Sequence, residues 1–253
     1  MNASFAKRLR SGQQQLATII SLPCPEVAEI AAASGYDWLF IDAEHGPLSV
    51  HDVQSILQAA GECPCIVRIP TADPVWIAKA LDVGAAGVLV PQVSTPEQVR
   101  EIVKAAKYPP QGSRGVGVAR AQGYGAKLMD YLHEANRETL VFIQAEHQDA
   151  VDNIDAIAQV PGLDGILVGP FDLSASLGVT GEVDHPRVQE AISKILQGCQ
   201  TAGITPAIFA ATPEQAKTHA DDGFSMIAIA TDTLALIKSM GNSLEVFRNN
   251  TAE

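Results

Sequence analysis

Eight short runs of β-branched and other apolar residues recur along this chain, and each is followed by a longer segment of helical period. Such alternation is what a parallel sheet with helical crossovers requires, because parallel neighbours cannot be joined by a tight turn. The strands read as Ala17 to Leu22, Trp38 to Ile41, Cys65 to Ile69, Gly87 to Pro91, Leu140 to Ala145, Gly165 to Val168, Ile204 to Phe209 and Ser225 to Ala230. The helices follow near Pro25 to Ala33, Ser49 to Ala60, Pro74 to Val83, Thr95 to Ala106, Asp149 to Ala158, Pro186 to Ala202, Thr212 to Asp221 and Asp232 to Phe247, and a short extra helix near Ser4 to Leu9 precedes them all. Eight such pairs in 253 residues, with no linker between two cores, predict one α/β domain over 1–253, a single (β/α)8 barrel.

Punctuation supports this count. Gly35, Gly84, Gly162, Gly203 and Gly223 each fall between a helix and the next strand, where a left-handed cap is usual, and these loops form the bottom of the barrel. Ser49 and Thr212, with Pro74 and Pro186 at first-turn positions, mark helix starts at the other end. The segment between Lys107 and Arg137 does not fit. It opens with Tyr-Pro-Pro-Gln-Gly-Ser-Arg-Gly-Val-Gly and is too long for an ordinary connection, so a functional or interface loop is expected there.

Composition narrows the function. Hydrophobic residues make up 47% and charged residues 18%, enough for a large core and too little charge for disorder. No run approaches the roughly 18 to 20 apolar residues of a membrane span, and Met1 to Arg10 lacks the apolar stretch of a secretory signal, so a cytoplasmic protein is expected. A net charge of −12 argues against nucleic acid, which needs clustered Lys and Arg, and favours small substrates. Cys24, Cys63, Cys65 and Cys199 lack paired CxxC spacing and read as buried or idle thiols.

Catalytic groups of such barrels lie at the carboxyl ends of the strands. The polar residues there are Asp42, Glu44 and His45 after the second strand, Arg68 ending the third, Gln144 and Glu146 ending the fifth, and Asp172 after the sixth. Glu146 and Asp172, on neighbouring strands, can place two oxygens on one hard divalent cation, Mg²⁺ or Mn²⁺, leaving positions for water and substrate. A helix cap is the alternative for one such carboxylate, but two beside Arg68 favour chemistry. His45, where an apolar strand stops before Gly46-Pro47, can move a proton near neutral pH. The other histidines, His51, His133, His147, His185 and His219, are expected at the surface. Arg68 must find an anion to offset its desolvation, either a substrate oxyanion or a structural carboxylate.

Two further chemistries are disfavoured. Lys79, Lys104, Lys194, Lys217 and Lys238 lie on helices, and Lys7, Lys107 and Lys127 lie off the strand ends, so no amine is placed for an imine. The loops after the seventh and eighth strands lack glycines for a phosphate cradle.

Phe40-Ile41-Asp42-Ala43-Glu44-His45, Val67-Arg68, Leu81-Asp82-Val83-Gly84, Val88-Leu89-Val90-Pro91, the run from Lys107 to Gly117, Gln144-Ala145-Glu146 and Gly169-Pro170-Phe171-Asp172-Leu173-Ser174 together resemble the class II pyruvate aldolases of the 4-hydroxy-2-oxoheptanedioate and 2-dehydro-3-deoxyglucarate aldolase family. The resemblance spans nearly the whole chain and implies a phosphoenolpyruvate/pyruvate-type TIM barrel that cleaves or forms 4-hydroxy-2-oxo acids from pyruvate and an aldehyde. It implies a divalent metal, Mg²⁺ or Mn²⁺ with Co²⁺ or Zn²⁺ compatible, on Glu146 and Asp172, and pyruvate contacts from Gln144, Phe171 and Asp172. By the same resemblance His45 is the proton acceptor and Arg68 stabilises the enolate, with Asp42 in the catalytic set. Asp82 matches an aspartate that raises the basicity of the histidine, yet the strand count puts it at the bottom of its own barrel. Either that helix boundary is misplaced or a neighbouring subunit supplies the aspartate, which fits a family that looks obligately oligomeric, as a trimer or hexamer. His147 departs from relatives, which usually carry threonine there. Two other readings stay open: a citrate lyase β-type enzyme acting on acyl-CoA, which would need a basic groove, and a barrel that binds metabolites without catalysis.

Overall fold

The computed structural model describes residues 3–250. Eight parallel strands close into a barrel in chain order: β1 (Gln15–Ile20), β2 (Trp38–Asp42), β3 (Cys65–Arg68), β4 (Gly87–Val90), β5 (Leu140–Ala145), β6 (Gly165–Val168), β7 (Thr205–Ala210) and β8 (Met226–Thr231). The helices are α1 (Ala3–Arg10), α2 (Pro25–Ala33), α3 (Val50–Ala59), α4 (Pro74–Asp82), α5 (Pro96–Ala106), α6 (Leu128–Glu138), α7 (Gln148–Asp152), α8 (Ile154–Ala158), α9 (Pro170–Ser176), α10 (Pro186–Ala202), α11 (Pro213–Asp222) and α12 (Asp232–Asn250).

Successive strand residues face opposite sides, and the two faces form two cores. Leu39, Ile41, Val67, Val88, Val141, Ile143, Ile166 and Ile208 point outward to the helices. Trp38, Phe40, Ile66, Leu89, Phe142 and Leu167 point inward and fill the barrel, where Phe5, Ala6 and Leu9 of α1 plug its lower end. Each fully buried large side chain of this kind contributes roughly 1.5–3 kcal/mol.

Several boundaries differ from the sequence reading. β1 ends at Ile20 because the backbone N–H groups of Ser21 and Leu22 donate to the Asp232 carboxylate, each at 2.9 Å, and leave the ladder. The Ser21 hydroxyl adds a third bond, at 2.7 Å, to this buried carboxylate. Asp232→Ala strands those two half-buried N–H groups and should cost about 2 kcal/mol in urea unfolding, from the low end of the roughly 1–3 kcal/mol for each group left unpaired. A loss below half of one kcal/mol would show that water replaces the carboxylate.

The long segment after α5 is no bare loop. It holds a 3₁₀ turn at Gly123–Gly125 and then α6, which buries Tyr131 and Ala135. The expected helix at Asp149 to Ala158 is broken into α7 and α8 at Asn153, whose side chain donates to the Ser94 carbonyl at 2.9 Å. α9 has no counterpart among the expected helices. The five expected helix-ending glycines all take positive φ, from 69° to 111°.

Candidate active site

The polar ring at the mouth of the barrel continues the inward rows of the strands. Below Asp42 on β2 stand Trp38 and Phe40, below Arg68 on β3 stands Ile66, and below Gln144 on β5 stand Leu140 and Phe142. Asp42 and Arg68 are register partners. The guanidinium forks onto Asp42, with Nε 2.9 Å from Oδ1 and Nη2 2.7 Å from Oδ2. Its Nη1 lies 3.2 Å from both Gln144 Oε1 and Glu44 Oε2. Burial works against the charge on Arg68, but the Asp42 hydrogen bonds and the charges of Asp42, Glu44 and Glu146 outweigh it and raise its pKa. Of the two partners foreseen for Arg68, the structure supplies the structural carboxylate.

Asp42 also shapes the turn after β2. Its Oδ1 accepts the backbone N–H of Glu44 at 3.1 Å and of His45 at 3.2 Å, so the chain turns back at the strand end. A Cβ at Gly46 would stand 2.3 Å from the Asp42 carbonyl oxygen, so only glycine closes this turn. The turn leaves the His45 side chain 67% exposed, 3.9 Å from Glu44 Oε2. Glu44 Oε2 is buried without an aligned hydrogen-bond donor, although Arg68 is near enough to attract it. Burial raises the pKa of Glu44; Arg68 opposes this, while Glu146 and Asp42 add to it.

Glu146 is held from two sides. The Gln92 backbone N–H donates to Oε1 at 2.6 Å, and the Gln144 amide donates to Oε2. Gln92 takes φ 57°, a left-handed conformation costly for a non-glycine residue, and in it the N–H reaches the carboxylate. Burial raises the pKa of Glu146; its hydrogen bonds counteract this and the charge of Asp172 reinforces it. Asp172 sits in the first turn of α9, whose first-turn N–H groups lack intrahelical acceptors. Asp42, Glu44 and Glu146 thus crowd around one arginine, all three side chains largely buried, and Asp172 acts on Glu146 from the other side. That surplus of hard, negative oxygen fits a divalent cation. Among the described residues no three His, Cys, Asp or Glu side chains are arranged to hold one metal ion, so Glu146 and Asp172 would share the ion with substrate and water.

Two cavities meet here. One, of about 470 Å³, occupies the barrel mouth and is lined by Asp42, Arg68 and Gln144 below an apolar side of Ile19, Leu167 and Phe209. The other, of about 570 Å³, is lined by Glu44, Gln92, Ser94, Glu146 and His147. His45 and Asp172 border both. Sequence reasoning missed Gln92, which acts through its backbone and carries no side-chain signal, and Phe209, whose place follows only from the inward row of β7.

The fold does not bring Asp82 to this site. It ends α4 at the barrel bottom, where it pairs with Arg114 at 2.6 Å. Arg114 is buried, donates to the Tyr131 hydroxyl and lies against the rings of Tyr108 and Tyr131. The 107–137 segment is therefore packed on its own barrel and is no free arm. His147 caps α7, accepting from the Asp149 N–H at 3.2 Å. His219, expected at the surface, is half-buried against Phe224, and burial lowers its pKa.

A model of the HpcH/HpaI aldolase/citrate lyase family matches residues 19–239. The 4-hydroxy-2-oxovalerate aldolase of Rhodococcus jostii is 41% identical over 238 residues, which is 93% of this chain and 92% of that protein. The 2-keto-3-deoxy-L-rhamnonate aldolase of Klebsiella pneumoniae is 39% identical over 253 residues, covering 98% of this chain and 94% of its own. A crystal structure of an HpcH/HpaI aldolase/citrate lyase family protein from Burkholderia cenocepacia superposes with a TM-score of 0.94 at 34% identity, covering 97% of this chain and 99% of that one. Fold, site and relatives together define a lyase of the metal-dependent aldolase class. Within that class the chain belongs to the HpcH/HpaI aldolase family, whose members act on small molecules with a divalent metal.

Proposed function

We propose that the barrel mouth binds pyruvate, or a related 2-oxo acid, and that its site residues break and make the bond to an aldehyde carbon. The observation that carries this is Arg68, locked on Asp42 through two nitrogens with its third facing the space between Gln144 and Glu44. The names of the relatives, acting on 4-hydroxy-2-oxovalerate and 2-keto-3-deoxy-L-rhamnonate, support the same substrate class.

Glu146 and Asp172 would hold Mg²⁺ or Mn²⁺, with Co²⁺ or Zn²⁺ compatible with the same oxygens. A bound divalent ion supplies fixed positive charge beside the keto oxygen, where negative charge grows as the carbon–carbon bond breaks. Arg68 Nη1 donates to the same developing charge, and Asp42 keeps the guanidinium aimed. Gln144 holds the Glu146 carboxylate in place and lines the pyruvate space. The first-turn N–H groups of Phe171 and Asp172 offer donors to the substrate carboxylate. His45, exposed at the border of both cavities, takes the proton from the hydroxyl that becomes the aldehyde, directly or through water.

No imine is formed in this scheme. No lysine lines either cavity, and the buried Lys107 donates instead to the carbonyls of Asn136 and Thr139. The test is to supply 4-hydroxy-2-oxo acids, assay pyruvate, and add borohydride. Pyruvate release without a covalent adduct is expected; a stable mass increase on a lysine would overturn the scheme. The acyl-CoA alternative lacks support, since Arg68 is the one Lys or Arg among the residues lining these cavities.

The working unit we propose is a homo-oligomer, a trimer or hexamer. α12 leaves Ile237, Met240, Leu244 and Phe247 exposed along one face, and Val116, Val118 and Tyr124 are exposed on the segment beside Asp82. Apolar faces of this kind call for a partner surface. Asp82 could then reach a neighbour's His45, which its own cannot, being at the other end of the barrel. Mixed oligomers of inactive Asp82→Asn and inactive His45→Ala subunits should regain part of the activity. No recovery despite demonstrated exchange would assign each barrel its own complete site. The cytoplasm is the compartment we propose, supported by four cysteines that are all free thiols.

A further inference from the structure

The barrel-mouth cavity has a neighbour. A smaller cavity of about 180 Å³ lies beside it, between α10 and α11, and Pro170, Phe171 and Phe209 line both. Phe209 is on the inward row of β7, above Ala207, and packs against the barrel interior. Phe171 stands in the first turn of α9 and is half exposed. Two aromatic rings therefore form the wall between the chambers. Behind it the smaller space continues with Val183, Ile192 and Ala211.

Charge restricts what can lie against this wall. Arg68 is the one Lys or Arg lining the mouth, and its fork is already engaged by Asp42. Asp42 and Asp172 face the mouth, while Asp184 and Asp222 line the space beyond the wall. A carboxylate at the end of an aldehyde would meet negative charge on both sides, with hydroxyl and amide donors but no free Lys or Arg to offset its lost hydration. An uncharged tail would meet Ile19, Leu167 and the Phe209 ring.

From this we infer that Phe209, with Phe171, sets the length of the aldehyde, and that this aldehyde carries a short, uncharged tail. The inference rests on the proposed aldolase activity. With the 2-oxo acid held at Arg68 and Asp172, the remaining apolar side of the mouth is where the substituent on C4 of the product must lie. The rings end this side of the mouth, and the space of about 180 Å³ behind them is room that a smaller side chain at Phe209 would join to it.

The test compares kcat/KM for 4-hydroxy-2-oxo acids bearing methyl, butyl or carboxyethyl at C4, using metal-loaded wild type, Phe209→Ala and Phe209→Leu. Exchange of pyruvate methyl protons for deuterium, followed by NMR, reports on the half-reaction that needs no aldehyde. Wild type should favour methyl over butyl by at least about tenfold, since methylenes that must fit a pocket discriminate on that scale. The carboxyethyl acid should be the poorest of the three. Shortening Phe209 should raise the butyl-to-methyl ratio by about tenfold in Ala and less in Leu, as the chamber opens in steps. Equal methyl and butyl values in wild type, or a preference for carboxyethyl, would overturn the inference. So would an unmoved ratio in both variants while proton exchange persists. Absence of both exchange and cleavage in wild type would instead remove the aldolase reading, and this inference with it.

Discussion

Arg68→Lys is expected to lower kcat by about 10²- to 10³-fold while the barrel stays folded, the scale seen when one preorganised donor to a developing oxyanion is removed. Geometry gives the reason. Two of the three guanidinium nitrogens are spent on Asp42, and the third projects between Gln144 and Glu44. An ammonium can satisfy Asp42 or reach toward the substrate oxygen, but it has no planar fork with which to do both. Because lysine keeps a positive charge near Asp42, Glu44 and Glu146, those carboxylates are not left without a cation, and unfolding should be only modestly easier. Stopped assays of pyruvate release, beside far-UV circular dichroism, separate the two effects. A turnover number equal to that of wild type would reduce Arg68 to a structural partner of Asp42.

Much of this site could be read from the order of residues. The inward row Trp38, Phe40, Asp42 steps by two, as does Leu140, Phe142, Gln144, so the point where an apolar row turns polar marks the mouth of the barrel. Arg68 ends its strand in the same way. Eight strands were legible because each outward and inward row is apolar, giving continuous hydrophobic runs. What escaped depended on contacts distant in sequence. The end of β1 is set by Asp232, 211 residues away from Ser21, which no local pattern reveals. Helix α6 begins after a turn containing Tyr124 in a left-handed conformation and buries Tyr131 and Ala135 in a small cluster with Tyr108, a contact distant in sequence. Gln92 contributes a backbone N–H, for which side-chain identity is no guide. Asp82 lies at the barrel bottom, as its place at the end of a helix implies, but its pairing with Arg114 has no local signal. That pairing gives Asp82 work within its own chain, so Asp82→Asn should loosen the 107–137 segment whatever it does across subunits.

Removing the metal should abolish turnover, because the site supplies too little positive charge alone. Three carboxylates stand around Arg68 with Asp172 next to Glu146, and Glu44 and Glu146 have pKa values raised chiefly by burial. Adding a 2-oxo acid brings one more carboxylate into this space, with a second negative charge growing on its keto oxygen. One arginine already engaged by Asp42 cannot offset these, whereas a divalent ion on Glu146 and Asp172 can. Glu146→Gln should weaken the ion's hold and lower activity even when metal is abundant, since an amide replaces an anionic ligand. The amide oxygen can still accept the Gln92 N–H, but its NH₂ then meets the Gln144 NH₂, so a small loss of stability should accompany the weaker hold on the ion.

The decisive measurement is pyruvate release from a 4-hydroxy-2-oxo acid by chelator-stripped protein, followed by titration with Mn²⁺ while its free-ion paramagnetic resonance signal is recorded. The account predicts no turnover when stripped, and recovery that tracks the loss of free Mn²⁺ signal up to one ion per chain. It also predicts weaker uptake and little recovery in Glu146→Gln. Full turnover by metal-free protein, or Mn²⁺ uptake unchanged by Glu146→Gln, would contradict it.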